Sequence, residues 1–361
     1  MNKLCSTPVP AAACLLFVFA GAPSAFANCC LFSQTVTFSV PGASQTVPTS
    51  INSSGAVAGY YYRPGSVYSR GGYFGFLRDP DGTITTFGGP GEANLVRYDP
   101  QGPQINDSGV IAGSYVDANG VVHGFVGNPK ITCSIYSVCP GGIVSFDPPG
   151  STQTWATGIN ASGWVVGSFS DAKGSHGFLY IGGIAYPIDF PGAQSTFVSS
   201  VTSSGYVVGV YSGQYSYEYG FWCLMTCSIP IYPYYGSFAP PGGPGTAAWV
   251  GGAIWTNSSL VVAGTLNVSG QSGYVGTPTL GNSTTFQFPG STATEALGIN
   301  SSGTVVGDYS DSNGGVHGFL RNSNGLFVNV DPTGTIGVPR AINDAGTFTG
   351  LTPNGGFVTF P

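Results

Sequence analysis

Three histidines stand five or six residues behind aspartates, and this is the first place in the chain where chemistry could occur. The pairs are Asp117 with His123, Asp171 with His176 and Asp311 with His317, and each histidine opens a His-Gly-Phe triplet. An aspartate that orients an imidazole can make a general base, provided a nucleophile lies within reach. The same pairing in three separate units argues instead for an imidazole that hydrogen-bonds a loop of its own unit. Ser170-Asp-Ala-Lys173 matches the Ser-x-x-Lys pattern of acyl-serine enzymes, but that pattern works at a helix start and here falls in a turn. Asp79-Pro-Asp-Gly82, Asp117-Ala-Asn-Gly120 and Asp311-Ser-Asn-Gly314 look like the opening of calcium loops. None continues to the bidentate glutamate such a loop needs. Glu92, Glu218 and Glu295 are the only glutamates, and no carboxylate pair of the glycosidase kind is visible, although aspartates could serve. No metal, cofactor or catalytic residue is expected.

Two other groups remain. Tyr211, Tyr215, Tyr217, Tyr219, Trp222, Tyr232, Tyr234 and Tyr235 crowd around Cys223 and Cys227. Flat aromatic faces with a polar tip suit glycans or protein surfaces. Alternating tyrosines also pack between sheets, which is the plainer reading. Arg97, Glu295 and Arg340 are charges on strands expected to line a central axis. The alternation of side chains places Glu295 and Arg340 on the same side of neighbouring strands.

The elements that must carry these residues come from a repeat. Asn-x-x-Gly, a small apolar triplet and a second Gly recur seven times, beginning at Asn52, Asn106, Asn160, Thr202, Asn257, Asn300 and Asn343. The spacings are 54, 54, 42, 55, 43 and 43 residues, the period of a propeller or solenoid unit. In residues 151–192 the pattern gives strands at 152–159, 164–169, 176–181 and 184–190. They are separated by turns at Asn160–Gly163, Asp171–Gly174 and Gly182–Gly183. Four short antiparallel strands joined by tight turns make one propeller blade. Pro-Gly then marks the crossing to the next blade, at Pro41, Pro90, Pro149, Pro191, Pro241 and Pro289, with Pro332-Thr-Gly334 as a variant.

The expected fold is all-β, a seven-bladed propeller of four-stranded antiparallel blades. The blades occupy about 43–90, 92–149, 151–191, 193–241, 243–289, 291–332 and 334–361. The last has three strands of its own, so the strand at 34–41 is expected to complete it and close the ring. Ile-Asn-x-x-Gly-x-Val-Val-Gly, Asp-x-x-Gly, His-Gly-Phe-Leu and Asp-x-Pro-Gly, fullest in 159–192 and 299–334, resemble the bacterial extracellular HAF-repeat family. The resemblance implies a propeller-like fold and an exported protein, and little chemistry.

Composition supports export. Lys3, the apolar stretch Ala11–Ala22 and Ala25-Phe26-Ala27 read as a signal peptide over residues 1–27. The remaining 334 residues, 28–361, carry 8 basic and 15 acidic side chains. That balance argues against nucleic acid and anionic membrane surfaces as partners, and no later segment is apolar enough for membrane insertion. Six cysteines stay with the exported part. Cys133 with Cys139 and Cys223 with Cys227 are expected as local disulfides, and the partners of Cys29 and Cys30 are open. The expected function is an exported binding or surface-interaction propeller whose partner is a glycan or a surface protein. Two rivals stand beside it: an extracellular polysaccharide-active enzyme with its site at the axis, and a purely structural surface or matrix protein.

Overall fold

The computed structural model describes residues 34–65, 71–96, 101–131, 142–212, 218–224, 234–238, 250–267, 271–277, 282–330 and 337–361. Apart from one three-residue 3-10 turn, Pro90–Glu92, the regular structure there is all strand. In chain order the strands are β1 (Gln34–Phe38), β2 (Gln45–Ile51), β3 (Val57–Arg63), β4 (Gly72–Arg78) and β5 (Ile84–Phe87). The second repeat holds β6 (Asn94–Leu95), β7 (Gln104–Ile105), β8 (Ile111–Val116), β9 (Val122–Gly127) and β10 (Val144–Phe146). The third holds β11 (Gln153–Ile159), β12 (Val165–Asp171), β13 (Gly174–Ile181) and β14 (Ile184–Ile188). Next come β15 (Ser195–Val201), β16 (Tyr206–Ser212), β17 (Glu218–Leu224) and β18 (Tyr234–Phe238), then β19 (Val250–Thr256), β20 (Val262–Asn267), β21 (Gln271–Thr277) and β22 (Asn282–Phe286). The chain finishes with β23 (Ala293–Ile299), β24 (Val305–Ser310), β25 (Val316–Arg321) and β26 (Phe327–Asn329), then β27 (Val338–Ile342), β28 (Phe348–Thr352) and β29 (Gly355–Phe360).

The third repeat shows why these residues fold so. Its first turn closes with Asn160 N–H on the Trp164 carbonyl and Gly163 N–H on the Asn160 carbonyl, both 3.0 Å. Gly163 takes φ of 79° there, a conformation glycine adopts without steric cost. Gly182 and Gly183, at φ 58° and 91°, make the two-residue hairpin between β13 and β14. The Gly of each Val-Val-Gly serves the core. A methyl on Gly167 would run into the Trp155 carbonyl and lie 2.8 Å from the Phe178 ring. The ring it makes room for belongs to the Gly-Phe pair on the third strand. Phe76, Phe125, Phe178, Phe319 and Phe357 are all fully buried this way.

Core clusters bridge successive repeats. Ala112 and Phe146 pack with Ala156, Val165 and Phe178, and Val166 and Leu179 with Val198 and Val207. At the other end of the chain, Val306 and Val330 meet Ile342, Phe348 and Phe357, and Val358 joins Val40, Ile51 and Phe76. β1 is the fourth strand of the sheet begun by β27, β28 and β29. It runs antiparallel to β29 from Gln34 opposite Phe360 to Phe38 opposite Gly356.

Seven separate sheets do not form. Hydrogen bonding gathers the described strands into six, because one parallel bridge, Ser175 to Ser195, joins β11–β14 to β15–β18 in an eight-stranded sheet. The Pro191-Gly192 crossing is short enough to leave the start of β15 beside the start of β13. In the second repeat the first strand is split, and β6 and β7 both pair with β8. Among the described residues no helix is long and apolar enough to cross a membrane.

Candidate ligand pocket at the axis

The Asn-x-x-Gly turns converge at one end of the axis. Each asparagine is 4–6% exposed and uses its whole amide. The Asn52 oxygen accepts from Ser54 N–H at 3.1 Å and Ala56 N–H at 2.9 Å within its own turn. Its nitrogen donates to the Asn106 carbonyl of the next turn, at 3.1 Å. Asn106 donates in the same way to the Asn160 carbonyl and Asn160 to that of Thr202. Asn257 donates to Asn300, Asn300 to Asn343, and Asn343 back to Asn52 at 2.9 Å. Thr202 keeps the inner bond, accepting from Tyr206 N–H at 2.9 Å, but a hydroxyl cannot span to the next turn. The sequence marks these asparagines as turn formers; their reach across the seam needs the neighbouring sheet to be seen.

The ladder surrounds an open pocket of about 260 Å³ lined by residues of all seven turns. Ile51, Ile105, Ile159, Val201, Ile299 and Ile342, the last residues of the first strands, form its apolar floor. Ser53, Asp107, Ser203, Ser258, Ser301 and Asp344 form its rim. Asp107 accepts from Ser53 N–H at 2.8 Å and Asp344 from Ser301 N–H at 2.7 Å. Each carboxylate is thereby fixed by the preceding turn while remaining exposed to the cavity mouth.

Below the floor the axis is filled. Thr49, Gln101, Gln104, Trp255, Leu297 and Arg340 leave a cavity of only about 30 Å³. Gln101, its amide nitrogen turned to the acceptors, donates to the carbonyls of Thr157 and Ser199. Thr49 and Thr157 donate across the seams to the carbonyls of Pro103 and Val198, at 2.6 and 2.7 Å.

Arg340 lines this small cavity beside Leu297; Glu295 is not among its lining residues. The register slips at Ala296/Gly298 on β23 and at Pro339/Ala341 on β27. Leu297 and Arg340 are the extra residues of these bulges. Glu295 stands directly opposite Asp308 of β24. The ion pairs among the described residues are those of the three histidines and Lys130 with Asp79; Glu295 and Arg340 form none within 4 Å. Arg97 lies outside the described residues.

The histidines are clamps within their own sheets. His176 bonds Asp189 through Nδ1 at 2.9 Å and Asp171 through Nε2 at 3.1 Å. His123 bonds Asp147 at 2.7 Å and His317 bonds Asp311 at 3.2 Å. The rings lie against Phe169, Tyr115 and Tyr309 respectively. Of the aromatic stretch, Tyr219 and Trp222 fall in β17, and Tyr234 and Tyr235 in β18, the two outer strands of their meander. Tyr215, Tyr217 and Tyr232 lie outside the described residues, as do Cys133, Cys139 and Cys227. Cys223 is in β17, in register with Tyr235.

No family model matches the chain, and no curated protein does. Solved structures do. Virginiamycin B lyase from Staphylococcus aureus aligns with a TM-score of 0.52 and 14% identity over 90% of this chain and 97% of that one. A puromycin-hydrolyzing peptidase from Mycobacterium tuberculosis aligns with a TM-score of 0.54 and 10% identity over 86% of this chain and 50% of that one. Aleuria aurantia lectin, in complex with α-methyl-L-fucoside, aligns with a TM-score of 0.43 and 9% identity over 81% and 96%. Identities this low speak for the fold alone: the chain is an all-β propeller with four-stranded antiparallel blades.

Proposed function

We propose that this protein is an exported, non-catalytic binding module. In this reading it is a seven-bladed propeller of the HAF-repeat type, latched by its N-terminal strand, and it holds the hydroxyl-rich end of a glycan in the axial pocket. The observation that carries the reading is the pocket itself, with an apolar floor, a rim of serine hydroxyls and two carboxylates pinned by backbone N–H groups. A few fixed polar groups around an apolar base is how small ligands are oriented. Fixed carboxylates accept from paired hydroxyls, and the serines can donate or accept. The count of seven rests on the seven turns around one cavity. The latch rests on the pairing of β1 with β29, and export on the signal-like first 27 residues.

The test is a glycan array probed with residues 28–361 and with the Asp107→Asn/Asp344→Asn pair. Binding by the parent, weakened about tenfold or more in the double variant, is the expected outcome, since a charge-assisted bond contributes ~1.5–3 kcal/mol. Binding that survives the double variant but is lost in Trp222→Ala would move the site to the aromatic stretch. An array with no bound glycan would end the glycan reading.

A further inference from the structure

Asp308 occupies a position that in three other repeats fastens one repeat to the next. Of its six counterparts, each one residue after the Gly of the second strand, Tyr60, Val210 and Leu351 differ, and Ser114, Ser168 and Thr265 carry a hydroxyl on a short side chain. These three hydroxyls accept from the backbone N–H of Ala156, Val198 and Ala296, on the first strand of the following repeat, at 2.9, 3.1 and 3.2 Å. The residue of β27 equivalent to Ala156, Val198 and Ala296 by register is Pro339, which has no N–H to give. Pro339 is seated in this seam, since a methyl on Gly318 would lie 2.5 Å from its Cδ. Asp308 therefore faces a proline where these three hydroxyls meet a donor. Across β23 it meets Glu295, its direct partner in the ladder. Like charges so placed destabilise a sheet.

We propose that the seam between the β23–β26 sheet and the closing sheet of β27, β28, β29 and β1 is a proton-operated latch. With Asp308 protonated the seam is closed. Loss of that proton leaves two carboxylates side by side on one face and loosens the contact with β27. The charged groups acting on Asp308 are Glu295 on β23 and Arg340 on β27; β25 presents Gly318 opposite it. Burial first, then the Glu295 charge, pushes the Asp308 carboxyl up to about 7, against the opposing pull of Arg340. The folded value thus lies above the unfolded one of ~3.9. The stability it confers is complete below that value and is lost as pH rises to about 7, after which it is level.

Hydrogen exchange of β27 and β23, compared between parent and Asp308→Asn at each pH from 4 to 8.5, tests this. At pH 8 the variant should exchange at least about tenfold more slowly in β27 than the parent, and at pH 4 the two should agree. Glu295→Gln should move the parent's transition to lower pH, and Arg340→Gln should move it higher. Should Asp308→Asn fail to fold, Asp308→Ser, the residue of the Ser114 and Ser168 seams, replaces it. Equal pH dependence in parent and variant overturns the proposal, as does a carboxyl resonance of Asp308 that titrates near 4.

Discussion

At the scale of single residues, the asparagine of the repeat does three jobs with one amide. Its cost on removal should exceed that of an ordinary turn residue. Asn300 accepts from Thr304 N–H and Ser302 Oγ and donates to the Asn343 carbonyl. Asn300→Ala should lower stability by about 2–4 kcal/mol, because buried partners are left unmade as well as bonds lost; urea unfolding measures it. Thr202 is the converse case. Thr202→Asn should restore the missing rung toward Asn257 and add about 1 kcal/mol, read as a higher Tm. The His176 clamp adds a pH signature. Burial alone would lower the pKa of His176, but the hydrogen bonds and charges of Asp189 and Asp171 outweigh it, and the net direction is up. A raised value means stability that is complete below ~6.5 and lost as pH climbs through the folded pKa. His176→Gln should flatten the Tm profile in that alkaline direction, and a profile unchanged by the substitution would remove the clamp's role. The loop-holding function of these histidines was legible from their repetition. The rim aspartates Asp107 and Asp344 were not, because each sits in an Asn-Asp-x-Gly turn that explains it locally, and only the closed arrangement of turns brings them to one cavity.

At the scale of the element, the recurrent bulge of the first strand decides which side chains reach the axis. It recurs at Pro48/Ser50, Ala156/Gly158, Val198/Ser200, Ala296/Gly298 and Pro339/Ala341. A period of two is the only guide to facing that a bare sequence offers, and one inserted residue reverses it. Arg340 is itself such an inserted residue, so its facing depends on a bulge that the sequence does not mark. The glycine opposite the bulge is the matching constraint. A methyl on Gly307 would run into the Glu295 carbonyl and sit 3.0 Å from the Phe319 ring. Gly307→Ala should therefore cost about 1–3 kcal/mol by overpacking. Gly303→Ala, in a turn of φ 79°, should lose stability through backbone strain instead. The strands of 151–192 were legible to within two residues, because turn glycines and proline punctuate them on both sides.

At the scale of the whole molecule, the sheet of β27, β28, β29 and β1 unites the two ends of the described chain. Deleting residues 34–42 should lower the Tm sharply, since it removes the outer strand and the Val40 contact with Val358; a Tm within a degree of the parent would show that the strand is ornamental. The recurring turn was plain from the sequence, whereas the grouping of two repeats into one sheet through a single bridge depends on a loop path that periodicity does not encode. The shared sheet also sets an order of events in time. A chain is made amino end first, so β1 exists well before β29. Gln34 then waits, unpaired, for Phe360, and this sheet forms only once β29 has been made. A product truncated anywhere before β29 would carry a solitary, pairing-competent strand at its front, an advertisement to quality-control proteases that the intact molecule withdraws at the last moment.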